Sequence, residues 1–332
     1  MRRVPDFYDR FRCLAGQCPH TCCEKWMVVL DEETVALYQG VVGELGWKLR
    51  REMAEVEGEI CFPLRGGRCP FLDGENLCEI HRALGEEATS LTCRSHPRFM
   101  EAYEGLTEVT LAASCPAANA LLFGSEEPLT FVELDDGETP LPDPLFALRG
   151  EMFAVLYDRE RPLGERLQNI LALGLAAQSL VDEGEDDALY DLRSEDAAVG
   201  EVEGEPLFPA AFDFLRELEV LEEDWTELLS AAEGAQSLDM EANAPALERL
   251  CAYFLFRYLC KAMGDGDVLG KVELAVFAVV LTARLGAAAG VAEAARMLSR
   301  EMEHSGENME ALWQGFCFDE RLGVERILAA LQ

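Results

Sequence analysis

Phe11–Trp26 reads FRCLAGQCPHTCCEKW and sets four thiols, Cys13, Cys18, Cys22 and Cys23, within eleven residues. Arg68–His81 (RCPFLDGENLCEIH) adds Cys69 and Cys78, Leu91–Arg98 (LTCRSHPR) adds Cys93, and Ala113–Pro116 (ASCP) adds Cys115. Loops and ordinary core packing do not concentrate sulfur in this way; the spacing predicts either disulfides or a soft metal centre. The chain opens MRRVPDFYDRFRC, with arginines but no apolar stretch to form a signal peptide. A reducing, cytoplasmic setting follows as the expectation, and thiolates in that setting hold metal or iron–sulfur groups more often than they cross-link. Cys61, Cys251, Cys260 and Cys317 stand in apolar or helical contexts and are expected to be core thiols.

Around that stretch the texture divides the chain. Residues 1–123 are rich in Cys, Pro and Gly, and are expected to be an irregular cysteine-rich module with short helices, one of them starting at Asp31-Glu32-Glu33. Residues 124–144 hold four prolines and one short strand candidate, Leu129–Leu134, and read as a linker. From residue 145 to 332 apolar positions recur at helical spacing, as in Leu145, Leu148, Met152, Val155 and Leu156, with further helical patterns at 209–232, 245–263, 267–287, 290–314 and 319–331. Residues 182–207 interrupt this domain with an acidic, glycine-punctuated segment expected to be a mobile loop. The fold class is therefore mainly α: an irregular cysteine-rich N-terminal module joined to a helical C-terminal domain.

Net charge is −35, unevenly spread: residues 1–100 carry 13 Lys/Arg against 16 Asp/Glu, and the other 232 residues carry 15 against 47. Such a field repels phosphate backbones and argues against nucleic-acid binding, while it favours lysine-bearing or cationic partners; solubility accounts for it equally well. The nearest run to a membrane span, Leu274–Ala283, stops at Arg284 after ten residues, too short to cross a membrane, so no membrane partner is expected.

A tetrahedral metal or a cubane cluster needs about four thiolates converging from chain that bends sharply. Cys18 and Cys22 are close enough to share a centre. Adjacent Cys22 and Cys23 diverge, so one ligates while the other packs or supports. Cys69 and Cys78 face each other across the Asp73-Gly74 turn, and Cys93 and Cys115 complete a long-range set. The metal candidates are Cys18, Cys22, Cys23, Cys69, Cys78 and Cys93. Position 25, where a radical-SAM pattern would need a third cysteine, is Lys25, and no G-x-G-x-x-G stands between a strand and a helix.

Read in order, FRCLAGQCPHTCCEKW, CPFLDGENLC-x-IH, LGEE, TCRSHPR, SCPAA, RYLCKAMGDGDVLGK and SREMEHSGENMEAL resemble the flagellin lysine-N-methylase (FliB-type) family, over about residues 6–314. The CC pair followed by Cys69, Cys78 and Cys93-Arg94 is similar to small zinc- or iron-chelating domains. The resemblance implies methyl transfer from S-adenosylmethionine to lysines of flagellin or a related protein, with a [4Fe–4S] cluster in the enzyme and zinc as the alternative metal. The acidic segment matches none of these motifs.

On a continuous helix Arg300, His304 and Asn308 recur every four residues and share a face, with Glu301 beside His304. Such a set can orient a lysine amine, accept its proton or hold the donor's carboxylate; equally it can be a polar face that locks the helix in place. His304, Glu301 and Tyr258 are the catalytic candidates, and Arg94, Arg300 and Asn308 the donor-binding ones, with Arg94 also able to support a cluster from beside Cys93. The other function class is a non-catalytic, metal-stapled adaptor.

Overall fold

Asp143 opens the first long helix where the sequence places it. Its carboxylate accepts the Leu145 N–H at 2.8 Å, and Pro144 takes the first helical position of Pro144–Leu156. The computed structural model describes residues 1–56, 58–134, 143–197, 200 and 204–332. The chain folds into two units. One comprises residues 10–99 and 115–118; the other comprises 1–9, 100–114 and 119–332. The chain is mainly α.

The larger unit is built around Val268–Ala289, a 22-residue helix buried along most of its length. It packs against Leu163–Asp182, Glu223–Glu233, Ala244–Tyr258 and Val291–Glu303. This corrects the expectation from the ten-residue run. The helix is long and apolar enough to cross a membrane by length and composition, but 78% of its most apolar stretch is buried inside the protein. Core helices of large domains pass the same test.

A four-stranded sheet runs in the order Arg98–Tyr103, Leu106–Leu111, Arg2–Pro5, Phe131–Glu133. The N-terminal strand pairs parallel with Leu106–Leu111 and antiparallel with Phe131–Glu133, so the strand expected near Leu129–Leu134 is present. The rest of the expected linker, 135–142, lies outside the described residues.

Two expectations for the helical domain are overturned. The patterns at 209–232 and 290–314 are each two helices. Ala210–Arg216 and Glu223–Glu233 are separated by residues 217–222, and Val291–Glu303 ends before Gly306–Phe318 begins. The described part of 182–207 is not a loose loop. It forms 3-10 turns at Asp186–Tyr190 and Ser194–Asp196 and buries Leu189, Leu192 and Leu207. Apolar residues every few positions anchor it, although its average composition is acidic; residues 198–199 and 201–203 of this stretch are outside the description.

The smaller unit carries a second, three-stranded sheet in the order Val28–Val29, Glu59–Phe62, Ala54–Val56. Val28, Leu30, Tyr38, Leu49, Phe62, Phe71 and Ile80 form its core, and Cys69 and Cys78 pack against it. Asp31 caps the helix Glu32–Gly40 through the Thr34 N–H, as the sequence indicates. A second carboxylate bond, from the Leu91 N–H at 2.8 Å, ties that helix start to the segment carrying Cys93. Those backbone and hydroxyl donors hold the Asp31 carboxyl down at about 2.

Candidate functional site

Short backbone ties position the sulfurs of the smaller unit. The Cys69 N–H donates to the Cys23 carbonyl at 2.8 Å, and the Leu72–Cys78 bridge closes the turn between Cys69 and Cys78. Asp73 stabilises that turn by accepting the N–H groups of Glu75 and Leu77 at 2.8 and 3.0 Å. The Cys78 sulfur sits at the N-cap of Glu79–Leu84. Cys93 lies in the first turn of Leu91–Ser95, where Ser90 caps its N–H. Cys22 is fixed from behind by Trp26, whose indole N–H donates to the Cys22 carbonyl.

The electrostatics sort these thiols into two sets. Cys69, Cys78 and Cys93 each feel the charge of Cys23, and Cys69 and Cys93 also feel Cys78. Cys22 feels Cys13 and Cys115, and Cys115 feels Cys13 and Cys18. The adjacent pair Cys22–Cys23 therefore faces two ways, one residue toward each set. A thiol–thiol hydrogen bond to Cys22 lowers Cys23 to about 7, while the same bond and burial push Cys22 up. Burial raises Cys69 to about 12 and Cys93 to about 11.

Among the described residues, no group of three or more His, Cys, Asp or Glu side chains is drawn together as a metal-ion site. The donor set nevertheless suits a soft metal. Cys23, Cys69, Cys78 and Cys93 are four sulfurs from four segments, on turns and helix starts. A cationic cleft of about 500 Å³ borders Cys69, lined by Lys48, Arg51, Arg65 and Arg68 with Glu52 at its floor. The Glu52 side chain is 4% exposed and is held by Arg51 and Arg65, which keep its carboxyl below the usual range.

In the larger unit a buried polar network centres on Glu303, which lies within the SREMEHSGENMEAL stretch but is not among the candidates read from it. Its carboxylate pairs with Arg257 at 2.6 Å, with side-chain exposures of 0% and 6%. It also accepts the hydroxyls of Tyr253 (2.9 Å), Tyr258 (3.0 Å) and Ser299 (2.5 Å). Ser299 in turn accepts the Ser114 N–H at 2.9 Å, and the Ser114 hydroxyl meets His304 Nε2 at 2.7 Å. Burial, together with the Glu303 charge, raises Tyr253 well above its ordinary value, so the phenol stays protonated and donating.

The expected helical face of Arg300, His304 and Asn308 does not exist as one face. Helix Val291–Glu303 stops at His304, and Ser305 caps the next helix through the Asn308 N–H. Of the catalytic candidates, Tyr258 and His304 join the Glu303 network. Glu301 stands apart and accepts the N–H groups of Leu221 and Glu222 at 2.8 and 2.7 Å; burial raises its carboxyl to about 7 against those two donors. Asn308 straps the same segment, bonding both backbone groups of Glu219 at 2.9 Å. Arg300 reaches Glu222 at 3.7 Å. Arg94 donates to the Thr89 carbonyl at 2.6 Å, supporting the Cys93 helix. Among the expected core thiols, Cys61, Cys251 and Cys260 are buried, but Cys317 is exposed because it falls on the solvent side of Gly306–Phe318.

Comparison with known proteins bears out the family resemblance over part of the chain. The lysine-N-methylase of Salmonella typhimurium is 29% identical over 136 residues, 39% of this chain and 34% of that protein. The flagellar biosynthetic protein FliU of Salmonella muenchen is 29% identical over 136 residues, 39% of this chain and 80% of its own length. The lysine-N-methylase of Salmonella choleraesuis matches as the S. typhimurium protein does, at 29% identity over 34% of its length. The match thus spans about a third of each curated lysine-N-methylase. No family model and no solved structure matches the chain.

Proposed function

We propose that this chain is a protein lysine N-methyltransferase that draws methyl groups from S-adenosylmethionine and holds a [4Fe–4S] cluster, with flagellin or a related protein as substrate and the cytoplasm as its setting. The similarity to two lysine-N-methylases is the observation that carries this reading. The acidic surface, at net −35, suits a lysine-bearing partner.

In this reading Cys23, Cys69, Cys78 and Cys93 hold the cluster. A cluster held by those four cysteines would supply an iron centre and would add to the stability of the segments that carry them. The donor's carboxylate is best matched by Arg65 and Arg68 in the cleft beside Cys69: they pair with Glu52 and Glu24, but their side chains are 69% and 42% exposed and open to a ligand, whereas Arg300 is 10% exposed beside Glu222. Tyr258 and His304 support the Glu303 network, and Glu301 holds the 219–222 segment in place.

The test is incubation of anaerobically purified protein with S-adenosylmethionine carrying a deuterated methyl group and with flagellin, followed by peptide mass spectrometry. The expected result is labelled methyl on lysine Nε, lost when Arg65 and Arg68 are both replaced by Ala. Iron-replete protein that labels no lysine in flagellin or in a whole lysate overturns the proposal in favour of a metal-stapled adaptor.

A further inference from the structure

Glu273 is a buried carboxyl with no hydrogen-bond or ion-pair partner among the described residues. It sits in the second turn of Val268–Ala289 and is 3% exposed, yet it lines a cavity of about 580 Å³. Leu269 on the same helix, Phe316 on Gly306–Phe318 and Val324 on the last helix give that cavity apolar walls. Gly204 closes one side against the Glu325 carbonyl, so tightly that an added Cβ would stand 2.7 Å from that oxygen. Glu205, Glu320 and Glu325 stand at the mouth, and all three are exposed. Among the described residues the one cation in the lining, Arg326, pairs with Glu205 at the mouth and donates to the carbonyls of Pro206 and Glu320, which leaves Glu320 and Glu325 as the mouth acids without a cation.

An unpaired buried carboxyl costs stability and persists where something else gains from it. A cavity with apolar walls from Leu269, Phe316 and Val324, exposed acids around it and one buried carboxyl in its lining is complementary to an alkylammonium: a stem of methylenes capped by a cation. We propose that this cavity binds the side chain of a lysine from a partner protein, with the ε-ammonium paired to Glu273. The proposal rests on the lysine methyltransferase reading for the kind of partner and adds a docking lysine: an ammonium paired to Glu273 keeps its proton and is not the amine that is methylated.

Burial, with the charge of Asp267 adding, pushes Glu273 up to about 9, so the empty cavity holds a neutral acid at pH 7. The other charged or titratable groups beside it are Cys317 on the neighbouring helix, the three mouth carboxylates and Arg326; Lys271 on the same helix is held by Asp265 and Asp267 at 2.9 and 3.0 Å. When an ammonium enters, Glu273 gives its proton to solvent and becomes the carboxylate of the pair; the lysine keeps its own proton. Affinity therefore rises with pH from about 7 toward 9. It falls again as the ligand amine loses its charge near ~10.4.

Calorimetric titration of the full chain with Nα-acetyl-lysine N-methylamide, in two buffers of different ionisation heat at pH 7, tests this. The expected result is binding with release of about one proton per ligand, and no binding of the norleucine analogue. Glu273→Gln should weaken binding at least tenfold with an unchanged or higher melting temperature, because it removes an unpaired acid. The double variant Glu320→Gln/Glu325→Gln, confined to the exposed mouth, should weaken binding about threefold even if Glu273→Gln fails to fold. No binding by the wild type, equal binding of norleucine, or full affinity in the variants overturns the pocket. Loss of the methyl-transfer reading with lysine binding intact leaves the pocket standing, whereas Glu273→Gln protein that binds and methylates like wild type removes the pocket and leaves the enzyme.

Discussion

Replacing Cys69 or Cys23 by serine is expected to strip the chain of iron and unfold much of the smaller unit, whereas Cys251→Ser and Cys260→Ser leave the iron in place. Metal binding supplies folding free energy directly, about 10 kcal/mol or more in small zinc modules. The unit here has its own core of Tyr38, Phe62, Phe71 and Ile80, so only part of that total is at stake. Even a loss of about 2 kcal/mol lowers the melting temperature of a domain this size by roughly 8–16 °C. Cys69 is the sharper case: its N–H bonds the Cys23 carbonyl and its sulfur shares the charge of Cys23, Cys78 and Cys93. Cys251 and Cys260 lie wholly inside the helical body, where serine disturbs packing but no sulfur set. Iron analysis with thermal melting of the four variants checks this. Full iron in Cys69→Ser and Cys23→Ser, or iron lost from Cys251→Ser, overturns the division of the thiols.

The thiols are the most legible part of this protein because cysteine is scarce and its spacing is informative on its own. Adjacent side chains diverge, and accordingly Cys22 feels Cys13 and Cys115, while it is Cys23 whose charge reaches Cys69, Cys78 and Cys93. What the sequence does not show is that Cys18 and Cys22 turn toward Cys13 and Cys115, because that grouping depends on residue 115 returning to the neighbourhood of residues 10–99. Helix starts with a side-chain cap, Asp31 and Asp143, are equally readable. The parallel pairing of Arg2–Pro5 with Leu106–Leu111 is not, since it joins segments a hundred residues apart.

The break within 290–314 has a local cause. Apolar spacing continues across His304, but Ser305-Gly306 is a cap and a weak helix former, and it starts a new helix there. That break sends Glu301 and Asn308 to the 219–222 segment and leaves Glu303 facing Arg257. Glu303 gives little signal in the sequence, being one acid among many, and only burial distinguishes it. In the 182–207 segment the effect runs the other way: averaging over many acids hides the leucines that fasten it.

Glu303→Ala is expected to cost about 3–5 kcal/mol of unfolding free energy, the usual result of removing one partner from a buried ion pair. The reason lies less in the lost attraction than in what remains. Arg257 is 6% exposed and would be left with its charge in the helical core, and the hydroxyls of Tyr253, Tyr258 and Ser299 would lose their shared acceptor. Glu303→Gln keeps an acceptor for the hydroxyls but not the charge, so its loss should be smaller than that of alanine. Replacing both ends with apolar groups, Arg257→Met with Glu303→Leu, should recover part of the deficit, because a buried pair gains little over well-packed hydrocarbon. Urea unfolding of the three variants measures the order directly. A Glu303→Ala loss under about 1 kcal/mol, or a double variant no better than the single, would mean that Arg257 finds water or another acid when Glu303 is gone and that the network does not hold the Ser114–His304 contact in place.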